Sequence, residues 1–270
     1  MKKFRLSVLA MALTTMLGFT SCLDNDNTEY PNYASEIVRL NNYMGYHTFT
    51  TQYGVTLNPL NVSQVTSWPS TPFTYIEYSY EPEELDSMRW DVTLMTLGQI
   101  NDGQVISRTP AEGDANAPVS TIALVSGGSA NTTPFYQLND MFLMVGFYCR
   151  EVGSDREDAI AELDAHKFNL YYDPSTDFTA SSMTLYLRHY VTDIKDDDKF
   201  NASTRAWQHF NMQAALEDYK QAYNKEPERI IISCEQNSTN GDYTGNISNR
   251  TFEFSYTESV KLYKSWLNSK

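Results

Sequence analysis

The apolar and polar positions divide the chain into a leader, a short polar stretch and a long series of strand patterns. Leu6–Phe19 is an apolar run broken only by Ser7, Thr14, Thr15 and Gly18, and it follows a basic head of Lys2, Lys3 and Arg5. It is too short to span a bilayer. With the small residues Thr20 and Ser21 leading into Cys22, it has the order of a secretory signal over residues 1–21. Polar residues then continue to Asn32 without apolar periodicity, which predicts a solvated tether over 22–35.

Strand patterns begin with Ile37, Val38 and Leu40, in an extended segment reaching about Thr51. They resume at Gly54–Pro59, Phe73–Tyr80 and Trp90–Leu97. Four or five strands packed so closely suit a small β-barrel over 36–107. Asn101-Asp102-Gly103 is a turn signal. Pro110, Gly113, Pro118, Gly127, Gly128 and Pro134 then punctuate a linker over 108–134, with Thr121–Val125 as its apolar run. Met141–Cys149 is apolar on both faces and reads as a central strand. Further strands fall at Phe168–Tyr172, Met183–Val191, Ile230–Cys234 and Thr251–Tyr256. Gln213–Tyr223 reads as a helix, with Leu216, Tyr219 and Tyr223 on one stripe, Asn211 as N-cap and Pro227 as its stop. Composition alone makes Arg205–Met212 helical, and Glu258–Lys270 suits either a helix or a frayed strand. The fold class is mainly β: a small barrel, then a β-sandwich with one short helix over 135–270.

Charge narrows the function classes. Thirty-four acidic residues face 20 basic ones, and loss of Lys2, Lys3 and Arg5 with the leader takes the net charge from −14 to −17. No basic stripe is present to grip a phosphate backbone, so nucleic acid is excluded as a partner. Repulsion from anionic lipid leaves membrane attachment to acyl chains on Cys22. In lipoprotein signals that thiol is alkylated by a diacylglycerol before cleavage, and two or more chains, palmitate among them, anchor stably where one does not. Asp24 and Asp26 just after the cysteine resemble the export signal of surface-displayed lipoproteins in Gram-negative anaerobes. The expected location is the outer membrane, at the cell surface.

Candidate chemistry is sparse. Cys149 and Cys234 remain after Cys22 is lipidated; a cross-strand disulfide and two separately buried thiols both suit them. His47, His166, His189 and His209 lack ligand spacing, so no metal site is expected. Asp193, Asp196, Asp197 and Asp198 crowd one loop, but Lys195 and Lys199 interleave and no glycine is present, which favours a solvated turn over a calcium loop. There is no phosphate-cradling loop and no Gly-x-Ser-x-Gly, so neither cofactor nor catalytic residue is assigned. Asp86-Ser87-Met88 matches an Asp-Ser/Thr-apolar acceptor for O-glycosylation at Ser87. Nineteen tyrosines are present, and Tyr75, Tyr78, Tyr80, Tyr171, Tyr172 and Tyr186 sit in strand patterns. They serve either as flat faces for sugars or as strand residues with buried bodies.

Three segments carry a family resemblance. Gly54-Val55-Thr56-Leu57-Asn58-Pro59 is similar to a turn-plus-strand "DGT-L-x-P", and Met183–His189 to an "LxLRH" strand. Gln208–Leu216 resembles a strand running straight into a short turn or helix. Together they resemble the NigD-like family of lipoproteins. The resemblance implies an OB-like barrel before a sandwich, an exported lipid-anchored protein, and a strand rather than a helix over Arg205–Met212. It carries over no catalytic residue. The expected function is a non-catalytic surface lipoprotein that binds a protein or glycan partner. The family name adds bacteriocin immunity as the alternative, and a glycan-active enzyme ranks third.

Overall fold

A computed structural model describes residues 32–81, 88–123, 134–153, 156–195, 198–237 and 247–268. Two compact units divide at Ile100/Asn101.

In the first unit, period-two placement of large apolar residues builds a closed barrel from β1 (Asn32–Tyr43), β2 (Tyr46–Thr50), β3 (Thr56–Pro59), β4 (Phe73–Tyr80) and β5 (Arg89–Gln99). The order is β1-β2-β3-β5-β4, closed by β1 against β4, with β3 and β5 parallel. This is the five-stranded OB-like arrangement. Val38, Phe49, Leu57, Ile76, Tyr78, Val92, Leu94 and Leu97 fill its interior. On β5 the inward set passes from even to odd numbers between Leu94 and Leu97. A register shift opposite Glu77/Tyr78 absorbs the extra residue, as a β-bulge does. Between β3 and β4 the chain forms only a short 3-10 turn, Val62–Gln64, and Val65 and Trp68 pack on the core.

The second unit is a β-sandwich. Its strands are β6 (Asn101–Gly103), β7 (Val105–Ser107), β8 (Val119–Ala123), β9 (Phe135–Tyr136), β10 (Asp140–Cys149), β11 (His166–Tyr172), β12 (Ser182–Val191), β13 (Ala202–Asn211), β14 (Arg229–Asn237) and β15 (Ile247–Ser255). The order β6-β13-β10-β8-β14-β12-β11-β7 is continuous, with β15 on β14 and β9 on β10. Residues 101–107 pass from one edge to the other, because β6 pairs with β13 and β7 with β11. That crossing needs Gly103: a Cβ there would lie 2.2 Å from Phe210 Cε1 and 2.4 Å from the Phe168 carbonyl oxygen. Among the described residues, three α-helices complete the unit: α1 (Arg156–Ala165), α2 (Gln213–Tyr223) and α3 (Tyr256–Leu267).

Several expectations change. Residues 32–35 are not tether but the start of β1, paired with residues 77–80 of β4. The segment read as continuous to Thr51 is a hairpin turned at Met44-Gly45. Asn101–Gly103 is a strand, and the division falls ahead of 108–134 rather than within it. The described half of that segment is tied to the sandwich. Arg108 makes a two-pronged ion pair with Asp114 at 2.6 and 2.7 Å. Asn116 exchanges side-chain hydrogen bonds with the Val191 backbone. Prolines and small polar residues here serve a surface-hugging path, which composition does not distinguish from a free linker. Arg205–Met212 is a strand, as the resemblance implies, and the tail is helical. α1 had no sequence prediction. The helix cap also differs: Met212 takes the cap position, while Asn211 Oδ1 accepts from the Gln213 N–H at 3.0 Å.

Candidate functional site

The barrel carries a projecting arm. Pairing of β1 with β4 ends at Arg39–Phe73, and β2 pairs with β3 only at Phe49 and Thr50. The rungs Asn41–Thr48, Asn42–His47 and Tyr43–Tyr46 therefore form a two-stranded ribbon beyond the closed barrel. Isolated hairpins are marginal in water, so this one needs a clamp. It has one on a single face: His47 stacks on Trp68 with centroids 3.8 Å apart and planes 5° from parallel. Leu40 and Phe49, on the same face, pack with the barrel core.

The other face is open. Tyr43 and Tyr46, directly opposite in the ladder, are 71% and 78% exposed. Across from each other on one face, such side chains stand with Cβ atoms about 5 Å apart. One rung inward, Asn41 Nδ2 donates to Thr50 Oγ1 at 2.9 Å and reaches Thr48 Oγ1 at 3.5 Å. Met44, 82% exposed, and Gly45 make the two-residue turn at φ 51° and 84°. Positive φ at both positions is what a type I′ hairpin turn demands, and Asn-Gly is its usual sequence. Methionine there is strained by about 1 kcal/mol. Among the described residues, eight large apolar side chains stay exposed on the barrel and four on the sandwich.

The sandwich holds a different constellation, turned inward. Glu162 near the end of α1 accepts from the Arg150 backbone N–H at 2.7 Å and from Arg150 Nε at 2.6 Å, and faces His166 Nε2 at 3.2 Å. His166 Nδ1 lies 2.9 Å from His189 Nε2, and His189 Nδ1 lies 3.1 Å from the Pro118 carbonyl. That carbonyl can only accept, so His189 carries its proton on Nδ1 and accepts from His166. Burial and the neighbouring His166 push His189 down to about 3, against the opposing pull of the Pro118 carbonyl. Burial raises Glu162, but hydrogen bonds from His166 and Arg150 outweigh it and hold the carboxyl below its usual range. Arg150 reaches on to Asp198 at 3.1 Å. His209 sits between Asp102 and Asp140, at 2.7 and 2.8 Å, which joins β6 to β13 and β10. Each of these groups is saturated by protein partners, so they organise the sheet.

The predicted residues fall as follows. Cys22 and Ser87 lie outside the described residues. Cys149 and Cys234 are separate buried thiols, each pushed up to about 12 chiefly by burial; of the two arrangements considered, the structure takes this one, and neither thiol is primed as a nucleophile. Sequence spacing missed the meeting of His166 and His189, which comes from β11–β12 pairing. The Glu162–His166 offset of four was its visible half. Among the described residues no cluster of three or more His, Cys, Asp or Glu side chains is placed to hold a metal ion. Of the two roles open to the strand tyrosines, sugar face or strand residue with a buried body, these positions take the second or hold protein partners. Tyr78, Tyr171 and Tyr172 are buried. Tyr80 stacks on Trp90, Tyr75 hydrogen-bonds Glu77, and Tyr186 hydrogen-bonds Asp177.

The architecture defines a class: an OB-like barrel followed by a β-sandwich, mainly β throughout. The likeness extends to a lipoprotein of known structure. A Bacteroides fragilis protein described as a lipoprotein is 25% identical, with TM-score 0.67, over 83% of this chain and 98% of its own. A Bacteroides vulgatus protein of unknown function shares the fold at 13% identity and TM-score 0.50, over 83% and 91%. A NigD-like immunity protein from Bacteroides caccae aligns at 16% identity and TM-score 0.48, over 84% and 99%. The Bacteroides fragilis structure carries the likeness, which is to a lipoprotein of this two-part β fold. No protein-family model and no curated protein matches the chain.

Proposed function

We propose that this is an exported lipoprotein, held in the outer membrane by acyl chains on Cys22 and facing the cell exterior, that binds a protein or glycan partner without catalysing a reaction. The observation that carries the binding role is the barrel arm, which leaves Tyr43, Met44 and Tyr46 exposed while its other face is clamped by Trp68. The leader-then-cysteine order and the likeness to a lipoprotein support the anchoring. The absence of catalysis is supported by the buried, high-pKa thiols and by histidines saturated within the sheet. In cells, Cys22→Ser is expected to abolish fatty-acid labelling and move the protein out of the membrane fraction. Unchanged labelling would end the anchoring claim. Protease added to intact cells should degrade the wild-type protein; degradation only after the outer membrane is opened would place it on the periplasmic side.

A further inference from the structure

The arm's chemistry narrows the partner. Asn41–Thr48 contains no Asp, Glu, Lys or Arg, within a chain carrying 34 acidic and 20 basic residues. A cationic partner would find no carboxylate on these rungs, and the nearest charge on the face is Arg39, opposite Thr50 at its inner end, whose guanidinium lies over the Phe73 ring at 5.0 Å. What the open face does offer is two exposed phenol rings side by side, then an amide and two hydroxyls already oriented by Asn41's bonds to Thr48 and Thr50. From the Tyr43–Tyr46 rung to Thr50 is four residues of strand, about 14 Å, the length of two or three sugar rings.

We infer that the open face of the β1–β2 arm is a binding site for a neutral, unbranched stretch of glycan. One sugar ring would rest its C–H face on Tyr43 and Tyr46, while hydroxyls of the next meet Asn41 and Thr48. Stacking on an aromatic face suits a ring that is apolar on its flat sides and polar at its rim. The amide and hydroxyls supply both donors and acceptors for that rim. Loops joining the first two strands of OB-like barrels are an established place for oligosaccharide recognition in that fold. The strained Met44 fits the same picture, because it holds an apolar side chain at the tip where asparagine would be the relaxed choice. This inference rests on the barrel being the recognition unit.

The test uses the soluble chain from Leu23 to Lys270 in affinity electrophoresis through gels containing dextran, amylopectin or galactomannan, with a printed array of neutral oligosaccharides beside it. Retardation in at least one polysaccharide is expected, with a matching array signal. The Tyr43→Ala/Tyr46→Ala double variant should bind at least about tenfold more weakly, a loss of about 1.4 kcal/mol. Tyr43→Phe/Tyr46→Phe keeps the rings and should stay within about threefold of wild type. Leu60→Ala, exposed elsewhere on the barrel, should change nothing, and an unchanged circular dichroism spectrum for each variant removes misfolding as the cause. No binding to any polysaccharide or array sugar, or binding indifferent to the tyrosines, overturns the glycan assignment. A photo-crosslinking residue at position 43 in intact cells separates the two levels. If it traps one defined envelope protein, the barrel remains a binding unit with a protein partner; if it traps nothing and no sugar binds, the binding role falls as well.

Discussion

Acid should loosen the sandwich through one side chain, His189. It is 2% exposed, stacked on Phe168 at 4.3 Å and 13°, and held between His166 and the Pro118 carbonyl. Burial, with His166 beside it, keeps it neutral down to about 3, whereas a histidine in the unfolded chain takes its proton near 6.5. Between those values the unfolded state binds a proton that the folded state refuses. Stability is therefore full above pH 6.5 and falls as pH drops toward 3, by up to about 1.4 kcal/mol per pH unit. From pH 7.5 to pH 5 the loss from this group is about 2 kcal/mol. Glu162 does not blur the window, because its lowered pKa gives stability that is lost only below the ordinary carboxylate range. The assay is urea unfolding of the soluble protein at pH 7.5, 6.5, 5.8 and 5, read through near-ultraviolet circular dichroism and through amide exchange in β11 and β12. His189→Asn does not titrate, and its amide can still reach Pro118. The variant should be less stable at pH 7.5, with the unpaired His166 nitrogen costing about 1–3 kcal/mol, but its stability should fall less steeply with acid. Equal slopes for the two proteins from pH 7.5 to 5 would refute the reasoning.

Gly103→Ala should destabilise the sandwich by about 2–3 kcal/mol or prevent folding, because the added methyl group meets the Phe168 backbone as well as the Phe210 ring; thermal unfolding of the purified variant checks it, and a shift below a degree would contradict it. Met44→Asn should relieve the left-handed turn and slow exchange of the arm's amides, by about 1 kcal/mol at most, with faster exchange as the opposing result. In protein lacking Cys22, Cys149 and Cys234 should ignore a thiol reagent while folded and both react in urea without reductant; no reaction in urea would reveal a disulfide.

The barrel was legible because its strands are runs of aromatic and β-branched residues, as in Phe73–Tyr80, or alternate outright, as with the core residues Val92 and Leu94. Strand count and order of parts therefore came through. What did not come through depends on pairing rather than on pattern. Asn32–Ser35 read as tether because a strand exposed on most sides has no apolar alternation, yet its partners in β4 make it part of the barrel. α1 escaped because Arg156–Ala165 shows no apolar stripe: its first turn carries Glu157 and Asp158, and Ala159, Leu163 and Ala165 are its buried apolar contribution. The histidine chain escaped because His166 and His189 are 23 residues apart and meet only through the β11–β12 register.

The tyrosines show why a functional surface is harder to read than a core. A tyrosine in the middle of a strand is placed by the two-residue period, and in a barrel or sandwich that period also builds the core. Tyr78 and Tyr172 accordingly end buried, with their hydroxyls spent on Glu36 at 2.6 Å and Asp218 at 2.7 Å. Tyr43 and Tyr46 flank a turn, where no facing strand exists to cover them. Burying apolar surface is worth about 25 cal/mol per Å², so two exposed phenols and a methionine in a strained turn run against stability on both counts. Natural sequences concentrate such departures from local consistency where something other than folding sets the choice. On the β1–β2 arm an exposed aromatic pair and a strained turn fall within four residues, while the buried histidines of the sandwich are hydrogen-bonded within it. The arm is thus the place where stability and recognition should trade against each other: stabilising its turn with asparagine and deleting its rings should move folding and binding in opposite directions.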